Sequence, residues 1–245
     1  MRVAVVTGAS SGIGRAVATE LHRRGWSVGV TARREDPLIR LCDELGERCA
    51  FAVTDVCDRE QTAAAIEHLE NQLGPIDLMI ANAGIGLNNP AFRFDYEAFE
   101  RTLNTNVFGV VHSVMPVLDK MIARESGHIA VVSSVAAYRG LPRTACYSAS
   151  KAAISTLFEG WGIDLLRNGV KMTAIHPGYV QTPILGEKPR KLPWLMSSDR
   201  AARIIVNGLE RGKTRIVFPW QMRIFMGFMK LMPDALYRTL IRRIT

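Results

Sequence analysis

Tyr147 and Lys151 stand four residues apart in Tyr147-Ser148-Ala149-Ser150-Lys151, and Ala152, Ala153, Ile154, Leu157, Phe158 and Trp161 follow at three-to-four spacing. That spacing predicts a helix, and positions four apart on a helix share a face. A phenol and an ammonium group then meet in one small volume. A free phenol, with a pKa of about 10, is a poor acid-base group near neutral pH. A cation one turn away favours the phenolate and is expected to lower that pKa, towards the range where the oxygen can give and take a proton. Alone, such a pair is more often a packed ring and a solvated charge, so its weight depends on what else the chain supplies.

A second chemical element lies at the start of the chain. Val3-Ala4-Val5-Val6-Thr7 is an unbroken apolar, β-branched run, as for a strand buried on both faces, and Gly8-Ala9-Ser10-Ser11-Gly12-Ile13-Gly14 leads from it into the helical pattern of Ala16, Val17, Ala18 and Leu21. Strand, glycine-rich turn and helix form the setting of a phosphate-binding loop. Glycines let the backbone approach a pyrophosphate, and the helix N-terminus offers free N–H groups. The next strand, Ser27 to Ala32, runs into Arg33-Arg34. An acidic residue near that point would hold an adenosine ribose hydroxyl, whereas arginine accommodates a 2′-phosphate. With Ala32 at the acidic position, Arg33 and Arg34 favour NADP(H) over NAD(H); a pair of solvated surface arginines is the alternative. Arg15 could assist the loop or lie exposed.

Further strands are expected at Cys49–Val53, Ile76–Ala81, Ile129–Val132, Val170–Ile175 and Arg215–Phe218, with helices between them. Strict alternation implies a Rossmann-type, doubly wound parallel sheet of seven strands in one α/β domain, with helices on both faces. Asp55 and Val56 follow the third strand, and Asp58 is placed to cap the next helix. Asn82-Ala83-Gly84 closes the fourth strand, where ligands of open α/β sheets lie. Asn106 falls inside a long helical stretch from Tyr96 to Ile122, a polar residue among Val107, Phe108, Val110 and Val111. Ser133 and Ser134 end the fifth strand, and His176-Pro177-Gly178-Tyr179-Val180-Gln181-Thr182 follows the sixth. Ser198 is expected to cap a helix ending near Gly212.

Together these motifs resemble the classical, single-domain short-chain dehydrogenase/reductase family. Thr7 to Gly14 is similar to its TGxxxGxG loop, and Asn82-Ala83-Gly84 to its NNAG motif, with Ala81 replacing the first Asn. Asn106, Ser134, Tyr147 and Lys151 fall at its catalytic tetrad, with the usual thirteen-residue step from Ser to Tyr, and Pro177, Gly178, Val180 and Thr182 match its PGxVxT segment. The resemblance covers residues 1–218 and implies hydride transfer between a nicotinamide cofactor and a carbonyl or alcohol carbon. Tyr147 would be the general acid and base, Ser134 the partner of the reacting oxygen, and Lys151 the group that tunes Tyr147 and holds the nicotinamide ribose. Asn106 would fix a water leading from Lys151 to solvent. Gly8, Ser10, Ser11, Gly12, Ile13, Gly14, Arg33, Arg34, Asp55, Val56, Asn82, Ala83 and Gly84 would contact the cofactor, as would Tyr147, Lys151, Pro177, Gly178, Val180 and Thr182. A homodimer or homotetramer, paired through the helices carrying Asn106 and Tyr147, is implied too. A non-catalytic NADP(H)-binding regulator and a membrane-associated scaffold on the same fold are the rival readings.

The 245 residues carry a formal net charge of +8, with 48% hydrophobic residues. Basic runs interleaved with aromatics are lacking, which argues against nucleic-acid binding, and no ligand spacing for a metal stands out. Cys42, Cys49, Cys57 and Cys146 follow no CxxC pattern and read as reduced thiols of a cytoplasmic protein, Cys146 as a small packing residue. The strand-like start at Met1 suggests no targeting peptide, and no apolar run reaches the length of a membrane span. Residues 183–198 match the family's substrate lid. Its Lys188, Arg190 and Lys191 would suit an anionic substrate, while Trp194, Leu195 and Met196 would suit an apolar one. Residues 219–245 extend beyond the usual fold as an amphipathic helical pair. Met222–Met232 is apolar nearly all round, and Leu236, Tyr237, Leu240, Ile241 and Ile244 form a stripe away from Arg238, Arg242 and Arg243. Core or interface packing and peripheral contact with a membrane are both open for this tail, and an apolar substrate is the expectation in either case.

Overall fold

The computed structural model describes residues 1–186 and 192–242. Seven strands form one parallel sheet: β1 (Val3–Thr7), β2 (Ser27–Ala32), β3 (Cys49–Val53), β4 (Leu78–Ala81), β5 (Gly127–Val132), β6 (Val170–Pro177) and β7 (Arg215–Phe218), in the spatial order β3-β2-β1-β4-β5-β6-β7. β1 sits between β2 and β4, with Val6 opposite Val30 on one side and Ile80 on the other. The chain winds outward from β1 to β3, then returns to β4 and winds the other way. The crevice at the C-terminal ends of β1 and β4 is therefore the switch point at which such sheets bind ligands. Strands β1, β2 and β4 are buried along their whole length, which is why they read as continuous apolar runs rather than alternating ones.

Helices α1 (Gly12–Arg23), α2 (Glu35–Leu45) and α7 (Ser198–Glu210) cover one face of the sheet, and α3 (Arg59–Leu73), α5 (Gly109–Ala123) and α6 (Ala145–Asp164) cover the other. Alternate strand residues feed the two cores. Val6, Val30 and Ile80 meet Val17, Leu21, Leu41 and Ile205 on the first face. Val5, Met79 and Val131 meet Leu69, Val114, Ile154 and Phe158 on the second. The expected long helix from Tyr96 is present as α4 (Tyr96–Leu103) and α5, joined without interruption by a π-helical turn at Asn104–Phe108. Two further helices, α8 (Trp220–Leu231) and α9 (Asp234–Arg242), follow β7.

Local expectations hold with small shifts. Asp58 accepts from Gln61 N at 2.9 Å and caps α3. The cap of α7 is Ser197 rather than Ser198; Ser197 Oγ accepts from Arg200 N, while Ser198 is the first helical residue and donates to Gln181 O. One cysteine expectation is corrected. Cys42 on α2 and Cys49 at the start of β3 are paired as a disulfide, with Cα atoms 5.2 Å apart, because the turn through Gly46 folds the chain straight back. Cys57 and Cys146 are free, and Cys146 is buried.

On α1 the carboxylate of Glu20 is buried and must be partnered. It accepts from Arg23 and Arg24, each at 2.8 Å, and Arg24 reaches on to Asn207 at 2.7 Å and Glu210 at 2.5 Å on α7. The Arg23 hydrogen bond, against the opposing cost of burial and with Arg24 adding to it, holds the Glu20 carboxyl down to about 2. A depressed carboxyl pKa stabilises the fold fully above the ordinary carboxylate range, and that contribution is lost as pH falls towards about 2. Glu20→Gln is therefore expected to cost about 2 kcal/mol at pH 7, measured by urea unfolding, with the gap to the native protein closing as the pH is lowered below 4.

Candidate active site

The switch-point crevice is stapled by side chain to backbone. Thr7 Oγ1 accepts from the N–H groups of Asn82 and Ala83, both at 3.1 Å. Asn82 Nδ2 donates to Thr7 O at 2.9 Å and Gly8 O at 3.3 Å. β1 and β4 thus end at a fixed separation. Gly8 has φ +68°, and a Cβ there would lie 2.7 Å from Ala83 Cα, so both conformation and space require glycine. A Cβ on Gly14 would overlap Asn82 Nδ2 and Gly8 O. The loop therefore presents bare backbone into the crevice. Ser11 caps α1 by position, but its side chain makes no cap hydrogen bond, and the first turn of α1 carries no acid. Free N–H groups and a positive helix end suit a pyrophosphate.

At the mouth of this crevice Arg34 donates to Ser10 Oγ at 3.0 Å and lies 3.5 Å from Ser11 Oγ. Arg33 pairs loosely with Asp55, at 3.8 Å, and both side chains are exposed. An exposed pair of this length is worth little, so Arg33 is available to a stronger anion. Ala32, buried at the end of β2, leaves no carboxylate for a ribose hydroxyl. Arg15 is instead engaged by Glu44 of α2. Val56 is buried, and its carbonyl is held by His112 Nδ1 of α5 at 2.9 Å.

Ser134 lies just past the C-terminal end of β5, where it starts a short 3₁₀ turn at Val135–Tyr138; its Oγ accepts from Ala136 N at 3.1 Å. Tyr147 and Lys151 project from α6 as the four-residue spacing requires. Lys151 is buried, donates from Nζ to Val132 O at 2.8 Å, and lies 5.8 Å from the Tyr147 ring centre. Burial brings its ammonium down to about 8. The expectation that Tyr147 would be lowered is corrected, for burial pushes its phenol up against the opposing hydrogen bond with the Ser134 hydroxyl. Desolvation disfavours the charged form of either group, and it is the largest cause of both shifts.

Asn106 is brought to the same place, and the structure explains its setting. It sits in the π turn, and its Oδ1 accepts from Ile85 N at 2.8 Å while its Nδ2 donates to Ile85 O at 2.9 Å and Ser150 Oγ at 3.0 Å. The extra residue of a π turn re-aims one side chain without ending the helix. A Cβ on Gly84 would come 3.1 Å from Asn106 Oδ1 and 3.3 Å from Lys151 Nζ, so these three residues meet. The side-chain amide is committed to the Ile85 backbone and to Ser150. The PGxVxT segment closes the ring: Gly178 N donates to Phe218 O at 2.7 Å, Thr182 Oγ1 donates to Val180 O at 3.2 Å, and Thr182 Cγ2 lies 3.0 Å from where a Cβ on Gly12 would be. In the lid, Ile184 Cγ2 and the Tyr147 ring both lie against Gly86, and Val180 bridges to Met196. Lys188, Arg190 and Lys191 lie outside the described residues.

Two residues of the site carried no role in the sequence. Ser150 is fully buried, and its Oγ donates to Tyr147 O at 2.7 Å while accepting from Asn106, linking the π turn to α6. Its place three residues after Tyr147 was its only signal. His176 is buried on β6, stacks on Tyr138 at 5.3 Å, and has Nδ1 3.2 Å from Ser134 O. A carbonyl only accepts, so Nδ1 carries the proton, leaving Nε2 as a buried acceptor with no partner among the described residues. Burial lowers the ring to about 4, which keeps it neutral.

The chain matches the family model described as short chain dehydrogenase over residues 2–193. An uncharacterized oxidoreductase of Myxococcus xanthus is 37% identical over 246 aligned positions, covering 99% of this chain and 97% of that one. Among solved structures, an alcohol dehydrogenase from Thermococcus sibiricus complexed with 5-hydroxy-NADP superposes with a TM-score of 0.81 at 28% identity, covering 89% of this chain and 96% of its own. The 3-ketoacyl-(acyl-carrier-protein) reductase of Brucella melitensis complexed with NADH gives a TM-score of 0.80 at 25% identity, covering 88% and 94%.

His176 generates a prediction about acid stability. Its ordinary pKa of 6.5 is lowered to about 4, so the unfolded chain takes up a proton below 6.5 that the fold refuses until about 4. Stability is complete above that window and falls through it as pH drops. His176→Asn keeps a donor near the Nδ1 position and removes the titrating ring. It is expected to lose on the order of 2 kcal/mol less than the native protein between pH 7 and pH 4.5, measured by denaturant unfolding at both pH values.

Proposed function

Because the chain belongs to the short-chain dehydrogenase family of oxidoreductases, we propose that it interconverts a carbonyl and an alcohol on an apolar substrate, with NADP(H) preferred over NAD(H) and Tyr147 as general acid and base. The reading is carried by the convergence of Ser134, Tyr147 and the buried Lys151 beside a glycine-walled, anion-receptive crevice. When bound, the cofactor supplies the hydride to the substrate carbon or accepts it from that carbon.

The residues of the chain do the rest. In reduction, Tyr147 transfers its phenolic proton to the oxygen that becomes the alcohol, and in oxidation its phenolate takes that proton back. A phenol kept protonated by burial suits the acid role. Lys151, an ammonium group below about 8, stabilises the phenolate left behind. Ser134 donates to the same oxygen and stabilises its developing charge. Asn106 acts through the Ile85 backbone, fixing the chain beside Gly84 against which Lys151 lies. On the cofactor side, the Gly8–Gly14 backbone, with Ser10, Ser11, Gly12 and Ile13, holds the pyrophosphate, and Arg33 and Arg34 hold the 2′-phosphate. Asp55 and Val56 meet the adenine. Asn82, Ala83, Gly84, Pro177, Gly178, Val180 and Thr182 surround the nicotinamide ribose and ring. Residues 1–218 form this catalytic unit, with the lid at 183–198 and the extension at 219–245. Two copies pair through the helices carrying Asn106 and Tyr147, where Phe108 of the π turn, Met115 of α5, Ile163 of α6 and Leu166 just past it expose apolar surface.

Initial rates of NADPH and NADH oxidation against short- and long-chain aldehydes, ketones and 3-oxoacyl thioesters test the reading. Turnover is expected with NADPH on apolar carbonyls, and Tyr147→Phe should lower kcat by about 10³-fold or more. Tight NADPH binding without turnover on any carbonyl would favour a regulatory protein instead. Replacing Arg33 and Arg34 together by Ala is expected to raise KM for NADPH at least about tenfold, with NADH little changed. The reductive rate should fall as pH rises through about 8, where Lys151 loses its proton, and this limb is read from the pH dependence of kcat.

A further inference from the structure

The helix that follows the sheet has two apolar faces, and only one is covered. Met222, Met226 and Met229 of α8 are buried, and two of them pack with Val135 and Tyr138 on the turn that Ser134 begins. Directly opposite on the helix, at spacings of four, four and three, Trp220, Ile224, Phe228 and Leu231 are 67%, 64%, 63% and 84% exposed. The exposed surface continues past Phe225 onto the lid, where the Trp194 ring lies 6.4 Å from that of Phe225 and Leu195 is also exposed. Leu236 and Leu240 of α9 are exposed as well. A patch of this kind marks an interaction surface rather than scattered surface residues.

The charge around the patch says what would cover it. Residues 219–245 contain Arg223, Lys230, Arg238, Arg242 and Arg243 against a single acid, Asp234, which pairs with Arg139. Arg223 and Lys230 lie along one flank of the α8 stripe, exposed, with apolar stems that can lie along it while their charges stay in water. In a two-fold contact the patch would meet itself, setting these cations against their own copies. An anionic lipid surface supplies the opposite sign and an apolar layer beneath it. Trp220 at the start of the helix is of the type that sits at such an interface. No helix among the described residues is long and apolar enough to cross a membrane, and at about 18 Å for twelve residues α8 would lie in the plane of the surface.

We propose that the outer face of α8, with Leu236 and Leu240 of α9 and Trp194 and Leu195 of the lid, docks the protein onto an anionic membrane surface. The inner face of the same helix rests on the Ser134 turn, so docking holds the site about one helix diameter, roughly 10 Å, from the lipid. This step is independent of the reaction assigned above and is measured without substrate or cofactor.

The full chain would be sedimented with vesicles of phosphatidylcholine containing about 30% phosphatidylserine, and with phosphatidylcholine alone, at about 0.05 M and 0.5 M salt. Binding is expected on the anionic vesicles, weakened at high salt, with blue-shifted tryptophan emission. Ile224→Gln with Phe228→Gln, both at exposed positions, should lower partitioning at least about tenfold while the circular dichroism and NADPH binding stay native. Arg223→Glu with Arg238→Glu should lower it on anionic vesicles and leave the weak binding to phosphatidylcholine unchanged. Equal partitioning of native and Gln variants, or no native binding to either vesicle, would overturn the proposal. So would a change of oligomeric state in the Gln variant without vesicle binding by the native chain, which would make the face a contact between copies.

Discussion

A buried ammonium group has to be answered, and much of the candidate site is arranged around the answer Lys151 receives. Nζ donates to the Val132 carbonyl at the end of β5. The hydroxyl of Ser133, next along, donates to the Lys151 carbonyl, fixing α6 against the strand from the other direction. That lock leaves Tyr147 one turn earlier on α6 and Ser134 one residue after Ser133, just past the strand, so phenol and hydroxyl are placed by a single junction. A side chain at Gly84 would crowd Asn106 Oδ1 and Lys151 Nζ, which would lie 3.1 Å and 3.3 Å from its Cβ. A cation held in a dry setting with few partners has its charge partly withdrawn, and the shift of Lys151 to about 8 expresses this. The same dryness raises the Tyr147 phenol, so the two groups are shifted by a shared burial.

The sheet was legible because its central strands are buried on both faces and therefore spell themselves as unbroken Val, Ala and Ile runs. The glycine loop was legible because conformation and close approach leave no substitute at Gly8. Tyr147 and Lys151 followed from their spacing, Ser134 and Asn106 from the family resemblance, and the fold brings all four to one end of the sheet. What spacing could not carry was direction. Asn106 looked like an awkward helix residue because the π turn at Asn104–Phe108 is made by backbone geometry that leaves no mark in residue types. The Tyr147 shift came out opposite in sign because attraction between neighbours is visible in a sequence and desolvation is not. Cys42 and Cys49 paired because the turn through Gly46 reverses the chain, which six intervening positions do not announce. The role of His176 rests on a contact with a backbone carbonyl forty-two residues away, beyond any local pattern.

The tail illustrates a different limit. Its amphipathic character was evident from residue types, but which side of α8 faces the protein was not, since apolar residues surround it. The structure assigns the methionines inward and the aromatic and branched residues outward. The Tyr237 hydroxyl donates to Gly140 O at 2.5 Å, and Arg139 lies over the Tyr237 ring while pairing with Asp234. The loop leading into α6 is thereby tied to α9, and the extension is continuous with the architecture of the site.

The packing on the two sides of the site differs in material. On the glycine-loop side, Gly8 and Gly14 sit so close to Ala83 and Asn82 that one added carbon would not fit, and such a junction leaves no room for adjustment. On the other side, the contact between α8 and the Ser134 turn is made by Met222 and Met226, unbranched thioethers that refill space by rotating rather than by moving backbone. A neighbour of different girth can be accommodated there at small cost while the rigid junction stays in register. The junction at the strand ends is thus fixed by backbone contact, and the seam beneath α8 can take up a change of side-chain volume without dislodging it.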